Sequence, residues 1–264
     1  MLDRCLLLAW AAPAPLAPRA ALLMPRTCAP AMNRRSKSVA RKPALYVEVA
    51  ADGSDMWRAD EVIEILAGGG CGVVPTDTSY SFVTPLSSKR GAQRVVELKG
   101  ASHTKKPLSL LCRSLADVDR YTSGMDRDTF KMLRANLPGP FTFILRASSW
   151  LPKGYYKDGR SWKRGTVGVR IPDDGVCRAL LERLDEPLLC STVPTEEDGS
   201  QLACRAPLEG EESSAWCDGV DFVLDAGDRP IDGSTVYDLS ESDYGGGVAP
   251  ALVRQGLGEL KLLR

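Results

Sequence analysis

Gly68-Gly69-Gly70-Cys71-Gly72-Val73-Val74-Pro75-Thr76-Asp77-Thr78-Ser79-Tyr80 is the stretch around which the rest of this chain makes structural sense. The three leading glycines suit the end of a helix, where left-handed backbone is common. Residues 72–74 then read as a short buried strand, which Pro75 stops, turning hydroxyls and one carboxylate outward. Such a strand end is a natural place to hold a small polar ligand. The same residues also suit an ordinary helix-to-strand connection.

Working outward, residues 43–49 alternate like a first strand. Asp60 is expected to cap a helix whose Val62, Ile63 and Leu66 share one face until Gly68. Downstream, Ser87 or Ser88 opens a second helix with Ala92, Val95, Val96 and Leu98 inward, ended by Gly100. A basic loop over 99–106 feeds a strand at 108–112. Ser114 caps a short helix through Val118 and Tyr121, and a further helix runs from about Asp126 to Leu137, where Pro138-Gly139-Pro140 forbids continuation. Strand patterns follow at 141–145, 166–171, 187–192, 222–225, 234–238 and 252–254, with a helix at about 174–184. This repeating pattern predicts an α/β fold, and with no linker visible residues 43–264 read as one domain.

Of the 264 residues, 44% are apolar and 26% charged, enough apolar content for a sizeable core. No stretch approaches the roughly 20 apolar residues of a membrane helix, so no membrane partner is expected. Zero net charge hides a segregation. Residues 85–170 hold eighteen Lys/Arg against six acids, and residues 171–264 hold seven against twenty. The middle third therefore offers a field for phosphates or RNA, unless the opposite charges interleave on the folded surface. Eight cysteines stand at least 13 residues apart, which excludes a C-x-x-C zinc knuckle. With His103 the only histidine, a His-based metal site or catalytic triad is excluded too. Cys71, Cys112 and Cys190 sit in apolar runs as expected buried free thiols.

Residues 1–42 carry eight Lys/Arg and one acid, with abundant Ala, Pro and Leu and no periodic segment. They read as a disordered transit peptide for a chloroplast or mitochondrion. A secretory signal is the other reading of residues 6–12, and translation from Met24 or Met32 would leave a cytoplasmic protein.

Taken in order, Gly-Val-Val-Pro-Thr-Asp-Thr-Ser-Tyr (72–80), Glu97-Leu98-Lys99, Lys106-Pro107-Leu108, Pro138-Gly139-Pro140 with Thr142-Phe143, Gly168-Val169-Arg170-Ile171-Pro172, Gly233-Ser234-Thr235-Val236-Tyr237-Asp238 and Val253-Arg254-Gln255-Gly256 resemble the YrdC-like threonylcarbamoyl-AMP synthase family. The resemblance covers about residues 60–264 and is nearest to the YciO-like branch. It implies a single YrdC/RibB-like domain, a twisted mixed β-sheet flanked by helices around a basic cavity. It also implies a reaction that joins L-threonine, bicarbonate and ATP, with Mg²⁺ on the phosphates, into threonylcarbamoyl-adenylate for tRNA modification. No tightly bound cofactor and no resident metal are implied. Double-stranded RNA or tRNA is the implied macromolecular partner.

Carried over position by position, Thr76, Tyr80 and Ser234 would contact the amino-acid part of the substrate. Lys99 would act as the catalytic cation on the carbamate and α-phosphate. Thr142, Arg170, Thr192 and Arg254 would line the nucleotide side, and Lys105, Lys106, Lys163 and Arg164 would be RNA contacts. Two positions depart from the synthase pattern, Ala101 standing where an arginine is usual and Pro194 where an asparagine is. Losing a bidentate anion clamp and an orienting amide implies weak or altered synthase activity. A fully active organellar synthase and a non-catalytic RNA-binding module are the rival expectations.

Overall fold

Among the described residues the chain forms ten strands. They are β1 (Leu45–Glu48), β2 (Gly72–Val74), β3 (Ser81–Pro85), β4 (Ser109–Leu111), β5 (Phe141–Arg146), β6 (Thr166–Arg170), β7 (Leu188–Thr192), β8 (Phe222–Asp225), β9 (Thr235–Asp238) and β10 (Ala251–Arg254). Five α-helices accompany them among the described residues: α1 (Asp60–Ala67), α2 (Lys89–Leu98), α3 (Leu115–Tyr121), α4 (Arg127–Asn136) and α5 (Gly175–Glu182). The structure, a computed structural model, describes residues 43–99, 107–152, 165–195, 201, 216–240 and 250–261. The expected leader at 1–42 and, Lys99 apart, the basic loop at 99–106 lie outside the described residues.

All ten strands form one twisted sheet in the order β1-β8-β2-β3-β7-β4-β6-β5-β9-β10. It is mixed: β1/β8, β2/β8, β4/β6 and β5/β9 run parallel and the other pairs antiparallel. β3 was not foreseen from the sequence. Pro85 sits at its end, where a missing N–H costs no interior ladder bond, and all five of its residues are buried.

Side-chain caps start three of the five helices, while Ser114 takes the position before α3 without a side-chain cap bond. Ser88 accepts from the Gly91 N–H, Asp126 from Thr129 and Asp174 from Cys177, each a side-chain cap on an otherwise orphaned donor. Asp60 does not cap α1, because a 3₁₀ turn over Met56–Ala59 leads into the helix and makes Ala59 the preceding residue. The Asp60 carboxylate instead reaches Arg183 at 2.7 Å. Gly69, with φ of 82°, takes the left-handed position after the helix.

Burial follows strand alternation. Phe143, Leu145, Val167 and Val169 turn to one side and pack with Met132, Leu133 and Val118 from α4 and α3. A second cluster packs Val62 and Leu66 of α1 and Leu180 and Leu181 of α5 on Val74, Val83 and Phe222. Cys71, Cys112, Cys177 and Cys190 are buried, while Cys217 is disulfide-bonded.

Candidate functional site

The residues between those core positions face the other way. Thr142, Ile144 and Arg146 of β5, Thr166, Gly168 and Arg170 of β6, and Val236 and Asp238 of β9 line a cavity of about 1500 Å³. The period of two along each strand thus divides β5 and β6 into a core face and a cavity face. Gly168 keeps the floor flat, since a Cβ there would lie 2.9 Å from Ser109 Oγ and 3.2 Å from Thr142 Cγ2.

Register explains why distant residues meet. Phe141 pairs with Thr235 across parallel β5 and β9, so Thr142 and Ser234 flank the start of that ladder, with their hydroxyl oxygens 2.7 Å apart. Antiparallel β10 brings Arg254 opposite Val236. There its Nη2 donates to the Ser234 carbonyl at 2.6 Å and to Ser234 Oγ at 3.1 Å. Gly233, with φ of 75°, makes the turn that places Ser234 under this guanidinium. Arg170 ends β6, Thr192 ends β7, and Lys99 follows the last residue of α2; all three line the same cavity. Lys99 and Arg170 are buried, with 5% and 4% of their surface exposed.

The lining is cationic. Among the described residues it holds Lys99, Arg146, Arg170 and Arg254 against Asp232 and Asp238, a balance of +2. Arg170 is paired, its Nη2 donating to Asp77 Oδ1 at 2.9 Å and to Thr78 Oγ1 at 2.8 Å. Burial, and then the charge of Arg170, pull the Arg254 guanidinium below its ordinary pKa. Burial pushes the Asp77 carboxyl up even though Arg170 opposes the shift. The Cys190 thiol, also on the cavity wall, is pushed up to about 11 by burial.

Six of the eight proposed small-molecule contacts therefore share one concavity: Lys99, Thr142, Arg170, Thr192, Ser234 and Arg254. Thr76 and Tyr80 are placed elsewhere. Thr76 Oγ1 donates to the Ser79 carbonyl at 2.6 Å and lies 3.3 Å from Thr78 Oγ1. The Tyr80 hydroxyl is taken up by Gly227 O at 2.6 Å and Asp225 Oδ1 at 3.0 Å. Neither lines the cavity, because the turn after β2 directs its side chains into the protein. Lys105, Lys106, Lys163, Arg164 and Ala101 lie outside the described residues, while Pro194 lines the wall. Arg146 and Asp238 were missed by sequence reasoning, although a two-residue step from Thr142 already puts Arg146 on its face.

The family model Sua5/YciO/YrdC, described as telomere recombination, matches residues 64–256. The chain belongs to this family. It is 29% identical over 208 residues to the uncharacterized protein YciO of Escherichia coli K12, covering 76% of this chain and 90% of that one. It is 32% identical over 184 residues to the threonylcarbamoyl-AMP synthase of Mus musculus, covering 66% and 60% respectively. The crystal structure of Escherichia coli YciO superposes with a TM-score of 0.66 at 25% identity, over 83% of this chain and all of that one. The Pyrococcus abyssi Sua5 complexed with L-threonine shares the fold, with a TM-score of 0.62 at 20% identity over 81% and 58% of the two chains. The chain is thus a YciO-like member of a family related to threonylcarbamoyl-AMP synthases, with the mixed sheet its motif order implied.

Proposed function

We propose that this protein binds ATP in the cationic cavity and makes threonylcarbamoyl-adenylate from ATP, L-threonine and bicarbonate with reduced efficiency. The observation that carries the proposal is the surplus of positive charge on the wall. Arg254 shares the wall with Arg170, donates to the oxygens of Ser234, and among the described residues meets no carboxylate. Cations held together in this way suit an anionic ligand.

The reaction asks little else of the protein. The carbamate of threonine attacks the α-phosphorus and pyrophosphate leaves, so no covalent nucleophile is required. Positioning and charge neutralisation supply the catalysis. Lys99, buried in the wall that also holds Arg170, stabilises the carboxylate and α-phosphate, and the Thr142–Ser234 hydroxyl pair orients the adenylate. Mg²⁺ belongs to this scheme as part of the substrate, carried on the triphosphate, with Asp232 and Asp238 the carboxylates on the wall. Pro194 supports the reduced efficiency, because it offers the ligand no side-chain amide.

The test is to incubate the purified chain with ATP, labelled bicarbonate and L-threonine, following pyrophosphate and adenylate. Slow turnover abolished by Lys99→Ala is the expected result. Absence of both turnover and ATP binding would overturn the proposal. A second reading, RNA binding on the surface that carries Trp150, is favoured by that residue. It is 65% exposed and carries the Arg120 guanidinium 5.0 Å from its ring centroid, an arrangement able to stack on a base. Binding to a short RNA duplex that falls steeply with salt and is lost in Trp150→Ala is the result that reading requires.

A further inference from the structure

The turn after β2 makes no cavity wall of its own, yet it touches the most buried cation of the site. Arg170 donates from one nitrogen, Nη2, to two acceptors, Asp77 Oδ1 at 2.9 Å and Thr78 Oγ1 at 2.8 Å. A guanidinium is planar with donors in fixed directions, so two acceptors on one nitrogen set the plane of the whole group. Those acceptors are themselves held. Asp77 Oδ2 accepts the Asp173 N–H at 3.0 Å, and Thr78 Oγ1 is braced by Thr76, which is tied to Ser79. The Arg170 and Asp77 side chains are only 5% and 7% exposed. The Arg170 Nε–H is buried and meets no acceptor among the described residues.

A buried ion pair contributes little to stability once desolvation is counted, and here burial dominates the shift of the Asp77 carboxyl. Buried donors are nearly always satisfied, but the Arg94 Nε away from the cavity is likewise without an acceptor among the described residues. It is therefore the doubly held Nη2 on a cavity-lining guanidinium that marks Arg170 as oriented for a ligand. We propose that Asp77 and Thr78 are positioning residues for Arg170, holding its guanidinium in one orientation toward an anionic ligand in the cavity. This rests on the reading of the cavity as an anion site, and it gives Thr76 a supporting role in place of direct contact.

The test uses the full chain labelled with ¹⁵N-arginine, with the Arg170 signals assigned by their loss in Arg170→Lys, together with ATP titration by calorimetry. In the parent, slow rotation about Nε–Cζ keeps the Arg170 Nη signals resolved. In Asp77→Ala they collapse to an average and the ATP dissociation constant rises about tenfold or more, the scale of one charge-assisted contact. Asp77→Asn, which keeps an acceptor, gives a smaller rise, and Thr78→Val about threefold. Asp221→Asn breaks the Arg94 pair away from the cavity. It lowers stability but leaves the Arg170 signals and ATP affinity unchanged. Resolved Arg170 signals in Asp77→Ala, or ATP affinity equal to the parent's in Asp77→Ala, Asp77→Asn and Thr78→Val, would overturn the proposal. A parent that binds no ATP sinks the cavity reading instead, and the Arg170 signals then decide positioning alone.

Discussion

Arg170→Met keeps the length of the side chain and removes its charge. Asp77 is then left with a carboxylate at 7% side-chain exposure, the Asp173 N–H at 3.0 Å and no guanidinium. Removing one partner of a buried pair costs about 3–5 kcal/mol. At about 2–4 °C per kcal/mol for a domain of this size, the melting temperature falls by about 6–20 °C at neutral pH. The loss depends on pH in a definite direction. Burial already holds the Asp77 carboxyl above its ordinary value, and without Arg170 it rises further. The folded protein then holds a proton that the unfolded chain has given up. Stability from such a group is fully present below the unfolded carboxylate pKa of about 3.9, and is lost as pH rises through the folded one. The deficit of Arg170→Met therefore grows from acid toward neutral pH. Asp77→Asn/Arg170→Met removes both charges, so it recovers most of the stability and flattens the pH dependence without restoring ATP binding. Urea denaturation of the parent, both single variants and the double variant between about pH 4.5 and 7.5 reads this out. A deficit independent of pH, or a double variant no more stable than Arg170→Met, would refute the account of the buried pair.

Arg254→Gln weakens ATP binding about five- to tenfold at low salt and less at high salt, since this cation is at the solvent-exposed rim and is screened; calorimetry at two ionic strengths measures it. Gly168→Ala puts a methyl group 2.9 Å from Ser109 Oγ on the cavity floor. It should lower ATP affinity while denaturation shows a stability change of no more than about 1–3 kcal/mol. Burial pushes the Cys112 and Cys177 thiols up and Cys190 to about 11. All three should resist iodoacetamide at neutral pH in the folded chain and label only after unfolding, as read by mass spectrometry. Thr142→Val removes the hydroxyl 2.7 Å from Ser234 Oγ. It should reduce turnover about tenfold with little loss of stability, the scale of one neutral hydrogen bond, and unchanged rates would remove Thr142 from the site.

Elements were legible where the signal is local. Alternation over 141–145 and 166–171 gave strands ending within a residue of those observed, because the period of two is a property of each strand alone. Ser88, Asp126 and Asp174 announced helix starts through their capping chemistry. Asp60 misled because a cap is defined by backbone geometry, and the 3₁₀ turn before it carries no composition signal. β3 was hidden because its burial on both faces erases alternation.

The amino-acid order by itself determined the α/β alternation, the excess of cations in the middle third, and which residues of β5 and β6 share a face, since each depends on neighbours a few positions apart. Only the tertiary structure decided which face lines the cavity and where the hydroxyls of the turn after β2 point. It alone joined Asp77 to Arg170 across 93 residues of chain. Such pairings depend on strand register and shared burial between distant segments, which no local pattern encodes.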